Sequence, residues 1–117
     1  MTHPSSPPVV SVVIANRNAG RFLGPAIQSI LGQSFEDLEL LVVDDGSTDG
    51  SAAISRDHPD PRLRFFAREP LGISAARNFA LENARGRYIA CMDADDIAHP
   101  ERLAIQVGGG IPRRGRR

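Results

Sequence analysis

The sequence predicts an α/β fold built on a mostly parallel sheet, and three observations predict it. Four short apolar runs recur along the chain, segments with three- and four-residue apolar spacing lie between them, and the polar aspartate- and glycine-rich stretches follow directly on the runs. Strands alternating with helices in this way need right-handed crossovers, so helices should cover both faces of the sheet.

The elements follow in order. Residues 1 to 8 are a proline- and serine-rich lead-in expected to be disordered, and Val9 to Ile14 is a β-branched run suited to a buried parallel strand. Phe22, Leu23, Ala26, Ile27, Ile30 and Leu31 then repeat at helical spacing, and Gly32 ends the pattern. Leu38 to Val43 is the second strand. Asp44-Asp45-Gly46-Ser47-Thr48-Asp49-Gly50 is a turn rich in capping side chains that leads into a short helix from Ser51 to Asp57, stopped by His58-Pro59-Asp60-Pro61. Leu63 to Ala67 is the third strand, Ile73 to Ala84 a helix opened by Gly72 and closed near Gly86, and Tyr88 to Met92 the fourth strand. A last helix starts near Pro100. After Val107 the run Gly-Gly-Gly-Ile-Pro-Arg-Arg-Gly-Arg-Arg has no periodicity, so residues 108–117 read as a basic tail.

With 117 residues the chain has room for one core, and 41% hydrophobic and 24% charged residues fit a soluble globular unit, here residues 9–107. All 14 basic residues are arginine, and four of them crowd the last five positions. The body is therefore mildly acidic, which argues against a nucleic-acid partner. Cys91 is the one cysteine, so neither an internal disulfide nor a zinc cluster is expected, and a reducing, cytoplasmic setting fits. The start has no signal-peptide pattern and no apolar run reaches membrane-span length.

Parallel α/β sheets bind ligands at the carboxyl ends of their strands, here just after Ile14, Val43 and Met92. Met92-Asp93-Ala94-Asp95-Asp96 holds three carboxylates in four residues. In extended backbone Asp93 and Asp95 share a face and Asp96 points away; a hard divalent cation would relieve the repulsion of the pair. The alternative is an aspartate-rich turn that caps the following helix. Taken alone, Ala15-Asn16-Arg17-Asn18 and Asp44-Asp45-Gly46-Ser47 each read better as plain strand-to-helix turns. Arg77 falls in the first turns of a helix, where guanidinium and free N–H groups together can hold phosphate, although a solvated arginine is the commoner case.

Their joint occurrence is more specific. Val-Ser-Val-Val-Ile, Ile-Gln-Ser-Ile-Leu-Gly-Gln-Ser-Phe-Glu-Asp-Leu-Glu-Leu-Leu-Val-Val-Asp-Asp-Gly-Ser-Thr-Asp-Gly, Gly-Ile-Ser-Ala-Ala-Arg-Asn and Tyr-Ile-Ala-Cys-Met-Asp-Ala-Asp-Asp, in this order over about residues 9 to 107, resemble the nucleotide-sugar-binding half of a family 2, inverting, GT-A-type glycosyltransferase. The resemblance implies a Rossmann-like sheet and transfer of a sugar from a nucleotide diphosphate donor, most simply a UDP-sugar, to an acceptor hydroxyl on a glycan or lipid-linked sugar. It implies that Asp45 accepts a hydrogen bond from the base with Ala15 and Arg17 lining its pocket, that Asp44 supports the turn, and that Asp93 approaches the ribose. Asp95 would coordinate magnesium or manganese, and Arg77 would approach the diphosphate.

Two departures bear on function. Arg17 stands where the family often has tyrosine and Ala15 where it often has proline, which changes the character of the base pocket. The family's later strands, acidic general base and Gln-x-x-Arg-Trp motif have no counterpart here, and the tail has the composition of a shifted reading frame in GC-rich DNA. The chain thus reads as truncated after the metal-binding motif, with no catalytic base assigned. In that fold Tyr88 to Met92 would be a central strand, left with a free apolar edge. The competing function is an inactive nucleotide- and metal-binding fragment. A nucleotidyltransferase or dinucleotide oxidoreductase would want a glycine-rich loop after the first strand, where the chain offers only Gly20.

Overall fold

The computed structural model describes residues 7–109. Four strands, β1 (Val10–Asn16), β2 (Leu38–Asp45), β3 (Leu63–Arg68) and β4 (Tyr88–Asp93), form one sheet in the order β3-β2-β1-β4. All three pairings are parallel. A 3₁₀ turn (Gly20–Phe22) runs into α1 (Leu23–Leu31); α2 (Ala52–Arg56) and α3 (Ile73–Asn83) follow β2 and β3, and α4 (Arg102–Gly109) follows β4.

The central position of β1 and β2 explains their continuous apolar sequence. Each has a neighbour on both sides and helices on both faces, and every residue of the two strands is buried. On one face Val10, Val12, Ile14, Leu40 and Val42 pack with Leu23, Ala26, Ile27 and Ile30 of α1 and Leu103 of α4. On the other, Val13, Ala15, Leu41 and Val43 meet Ala76 and Ala80 of α3. Alternation along the strand assigns neighbouring residues to opposite cores. Complete burial of side chains such as Ile14, Leu40 and Ile27 contributes about 1.5–3 kcal/mol each.

Two polar knots lock the layers. Gln33, buried just past the Gly32 cap of α1, donates to the carbonyls of Ser29 and His99 and accepts from Leu103 N–H, which fixes α4 against α1. At the amino ends of the strands the buried Glu39 carboxylate accepts from Ser11 Oγ (2.6 Å), the Arg85 backbone N–H (2.7 Å), Arg64 (2.9 Å) and Arg85 Nε (3.0 Å). Burial pushes the Glu39 carboxyl up, but the bonds from Ser11, the Arg85 backbone and the two guanidiniums outweigh it and hold the group below its ordinary range.

The strands run one to two residues further than the sequence pattern indicates, because the polar residues that end them continue the ladder: Asn16 stays in register with Asp44, and Ala15 with Asp93. Helix α4 extends to Gly109, two residues into the glycine run, where nothing forbids a fraying last turn. The remainder of the basic tail and most of the lead-in lie outside the described residues. Among the described residues β4 is an edge strand, and no helix is long and apolar enough to cross a membrane.

Candidate functional site

The chain order places the site. From β1 the connections step to β2 and β3 on one side and then return to β4 on the other, so the direction of winding reverses between β1 and β4. Helices that follow these two strands diverge, and a crevice opens at their carboxyl ends. A cleft of about 400 Å³ lies there. Ala15, Arg17, Asn18, Ala19 and Phe22 line it from the β1 side, Ile73 and Arg77 from α3, and Asp93, Ala94 and Asp95 from the end of β4.

Of the six residues expected at the site, five line this cleft; Asp45 is not among them. Its carboxylate is buried and accepts from the backbone N–H groups of Leu71 (2.9 Å) and Gly72 (3.2 Å), which fixes the loop that opens α3. Gly72 takes φ +108°, a conformation a side chain would resist, immediately before Ile73. Arg17 bridges the two regions: it lines the cleft and places a guanidinium nitrogen 3.8 Å from Asp45 Oδ2. Arg77 donates to Asp93 Oδ1 at 2.9 Å. Both groups of that pair are substantially exposed, so it adds little stability and leaves the groups free to exchange partners.

The expectation that Asp96 points away from Asp93 and Asp95 is corrected. Carboxylate oxygens of Asp93, Asp95 and Asp96 all lie within 4.8 Å of one another, and all three residues are exposed. Extended alternation stops at Asp93: the Asp96 N–H donates to the Asp93 carbonyl at 3.1 Å, closing a four-residue turn that brings first and fourth side chains to one side. An exposed set of carboxylate oxygens suits a hard divalent cation and leaves room for further oxygen ligands.

The floor of the β1 side depends on a residue that sequence reasoning passed over. Asn16 is wholly buried, and its amide donates to Asp44 Oδ1 (3.0 Å), Ser51 Oγ (2.9 Å) and Ser47 Oγ (3.3 Å) while its oxygen accepts from Ala19 N–H (3.1 Å). Asp44 completes the turn by accepting from Ser47 N–H at 2.9 Å. Asn18, at φ +57°, accepts from Thr48 N–H and places its own N–H on Ser47 Oγ. These bonds tie the loop after β1 to the loop after β2. The available signal was a pair of asparagines after a buried strand opposite an Asp-rich turn.

Comparison with known proteins agrees with this geometry. The Glycosyl transferase family 2 profile matches residues 11–108. An uncharacterized glycosyltransferase of Rickettsia felis is 40% identical over 99 residues, and the chondroitin synthase of Escherichia coli 36% over 100 residues; each alignment covers 84% of this chain but only 16% and 15% of those proteins. Among solved structures, S. aureus TarS 1-349 superposes with a TM-score of 0.79 at 27% identity over 86% of this chain. The mannosyltransferase PcManGT of Pyrobaculum calidifontis, in complex with GDP-Man and Mn2+, superposes with a TM-score of 0.78 at 31% identity over 89%. The chain spans 31% and 32% of these two structures. Its parallel sheet flanked by helices is of the GT-A type. With the family's profile spanning nearly all of the described residues, the chain belongs to glycosyl transferase family 2.

Proposed function

We propose that this chain is the donor-binding portion of an inverting glycosyltransferase of bacterial polysaccharide or cell-envelope glycan synthesis, acting on the cytoplasmic side. The observation that carries the proposal is the pairing of a cationic and an anionic wall in one cleft: Arg17 and Arg77 face the strand end that carries Asp93 and Asp95. A nucleotide diphosphate sugar needs both, arginine for its phosphates and carboxylates for ribose hydroxyls and a cation. In this reading Ala15 and Arg17 border the base, and Asp45 orders that side through Arg17 and the Leu71 and Gly72 N–H groups. Asp93 approaches the ribose, Arg77 the diphosphate, and Asp95 holds magnesium or manganese. The cation supplies positive charge to the departing diphosphate. The complexes of TarS with UDP-GlcNAc and of PcManGT with GDP-Man and Mn2+ support a nucleotide-sugar donor and a divalent cation.

A second reading is nucleotide and metal binding without turnover: the two carboxylates that line the cleft, Asp93 and Asp95, are then both taken by ribose and cation. Calorimetric titration of UDP and GDP in manganese and in EDTA tests the donor site; binding should require the metal, and equal affinity in both buffers would remove the cation from the proposal. Release of sugar from a UDP-sugar to glycan acceptors then separates the two readings.

A further inference from the structure

Arg17 is anchored through both of its chain neighbours. Asn16, wholly buried, bonds to Asp44, Ser47 and Ser51, and Asn18 bonds to Ser47 and Thr48. The loop after β1 therefore presents the Arg17 side chain from a fixed backbone, which lowers the entropy cost of placing it on a ligand. That side chain is 44% exposed and lines the cleft, and its guanidinium stands 3.8 Å from Asp45 Oδ2. At this distance the two groups attract as charges without a hydrogen bond, and Arg17 donates no side-chain hydrogen bond to any described residue. Asp45 offers little to a base directly. Its carboxylate is 2% exposed; Oδ1 accepts from the Leu71 and Gly72 N–H groups, and Oδ2 also accepts from Gly72 N–H. On this side of the cleft the group left to read a base is a fork of N–H donors with no acceptor, steadied by a buried charge behind it.

Bases differ in how well they meet such a fork. Guanine carries two acceptors side by side, N7 and O6, which a guanidinium takes with two parallel N–H bonds. Cytosine carries O2 and N3 side by side. Adenine sets its amino donor beside N7, and uracil sets N3–H between its two carbonyl oxygens, so either one leaves part of the fork facing a donor. We propose that Arg17 selects the base of the nucleotide, favouring one with two adjacent acceptors, guanine or cytosine, over uracil and adenine. The inference rests on the donor-site reading and deepens it by naming the class of base.

Calorimetric titration of GDP, CDP, UDP and ADP into the 117-residue chain in manganese tests it, with circular dichroism of each variant as the check on folding. Comparing GDP with CDP tells which of the two favoured bases the cleft takes. At least one of them should bind about tenfold more tightly than UDP and ADP, near the lower end of what a bidentate pair supplies, because the guanidinium is partly solvated. Arg17→Lys keeps the charge and loses the fork, so the ratio should fall toward one through loss of affinity for the favoured base. Four nucleotides bound alike by the parent, or UDP or ADP bound most tightly, would overturn the proposal. So would Arg17→Lys weakening all four by one factor, which would place Arg17 on the diphosphate instead. Binding of none of the four would remove the donor-site reading itself, and this inference with it.

Discussion

Replacing Glu39 by glutamine leaves the shape of the knot at the amino ends of the strands and removes its charge. The carboxylate accepts four hydrogen bonds, and an amide can accept at one atom only, so its NH2 group meets donors, of which Arg64 alone has a second acceptor in the Asn83 carbonyl (2.8 Å). Ser11 cannot simply turn away, since its oxygen already accepts from Gly86 N–H at 2.8 Å. Bonds to a charged group contribute about 1.5–3 kcal/mol each, but Arg85 is 57% and Arg64 27% exposed and both can recover water. The buried Ser11 Oγ and the part-buried Arg85 backbone N–H carry most of the loss, roughly 3 kcal/mol in total. For a domain of this size that lowers Tm by roughly 12 °C or more. The sign of the pH effect follows from linkage. A carboxyl held below its ordinary pKa binds fewer protons folded than unfolded, so its stabilisation is complete above the ordinary glutamate value of 4.5 and fades as pH falls through the depressed folded value. Urea and thermal melts of parent and Glu39→Gln should therefore differ most at neutral pH and converge in acid. Equal stability at neutral pH, or a gap that persists undiminished into acid, would show that the buried carboxylate is not what joins these strands.

Asn16→Ala should cost about 2 kcal/mol, by leaving the buried Asp44 without its amide donor, and should speed hydrogen exchange at Ala19 and Ser47; parent-like exchange there would mean the two loops hold without it. Gly86→Ala should destabilise by about 1–3 kcal/mol or more, because the added carbon would sit 2.6 Å from Ser11 N and 2.8 Å from Val10 C, whereas Gly108→Ala, with open space around it in α4, should gain up to about 1 kcal/mol in the same melts. Asp95→Ala and Asp96→Ala should both weaken manganese binding measured by paramagnetic resonance, since the turn gathers both carboxylates; an effect confined to Asp95 would return Asp96 to the solvent.

The sheet was legible because parallel strands covered on both faces have a plain signature, unbroken runs such as Val-Val-Ser-Val-Val-Ile, and because the helices between them keep their three- and four-residue spacing. The aspartates at the strand ends were legible for a related reason: polar groups that interrupt such runs must lie where the sheet meets solvent. What escaped is of another kind. The fate of Asp96 depended on where β4 stops, and side-chain direction after a strand end is set by turn geometry that periodicity does not encode. Glu39 escaped for the opposite reason. A lone acid inside an apolar strand reads as a solvated exception, and its partners Arg64 and Arg85 lie 25 and 46 residues away.

The two ends of the sheet thus treat charge differently, and the contrast bears on where function lies. At the amino ends Glu39 is buried and each of its oxygens is taken by named donors, so that charge is explained by folding alone. At the carboxyl ends Asp93, Asp95 and Asp96 stand exposed and close together, and among the described residues one arginine, Arg77, is paired with one of them. Mutual repulsion at this distance opposes the turn, whose packing against the core comes from Ala94 and not from the carboxylates. A fold under selection for stability alone would have no use for the second and third carboxylate. Replacing the pair Asp95 and Asp96 by asparagine should then stabilise the chain in the absence of divalent cations while removing its response to them, and melts with manganese and with EDTA measure both halves of that statement. If the double variant is less stable than the parent in EDTA, the carboxylates serve the turn, and the acidic cluster loses its claim to be a site.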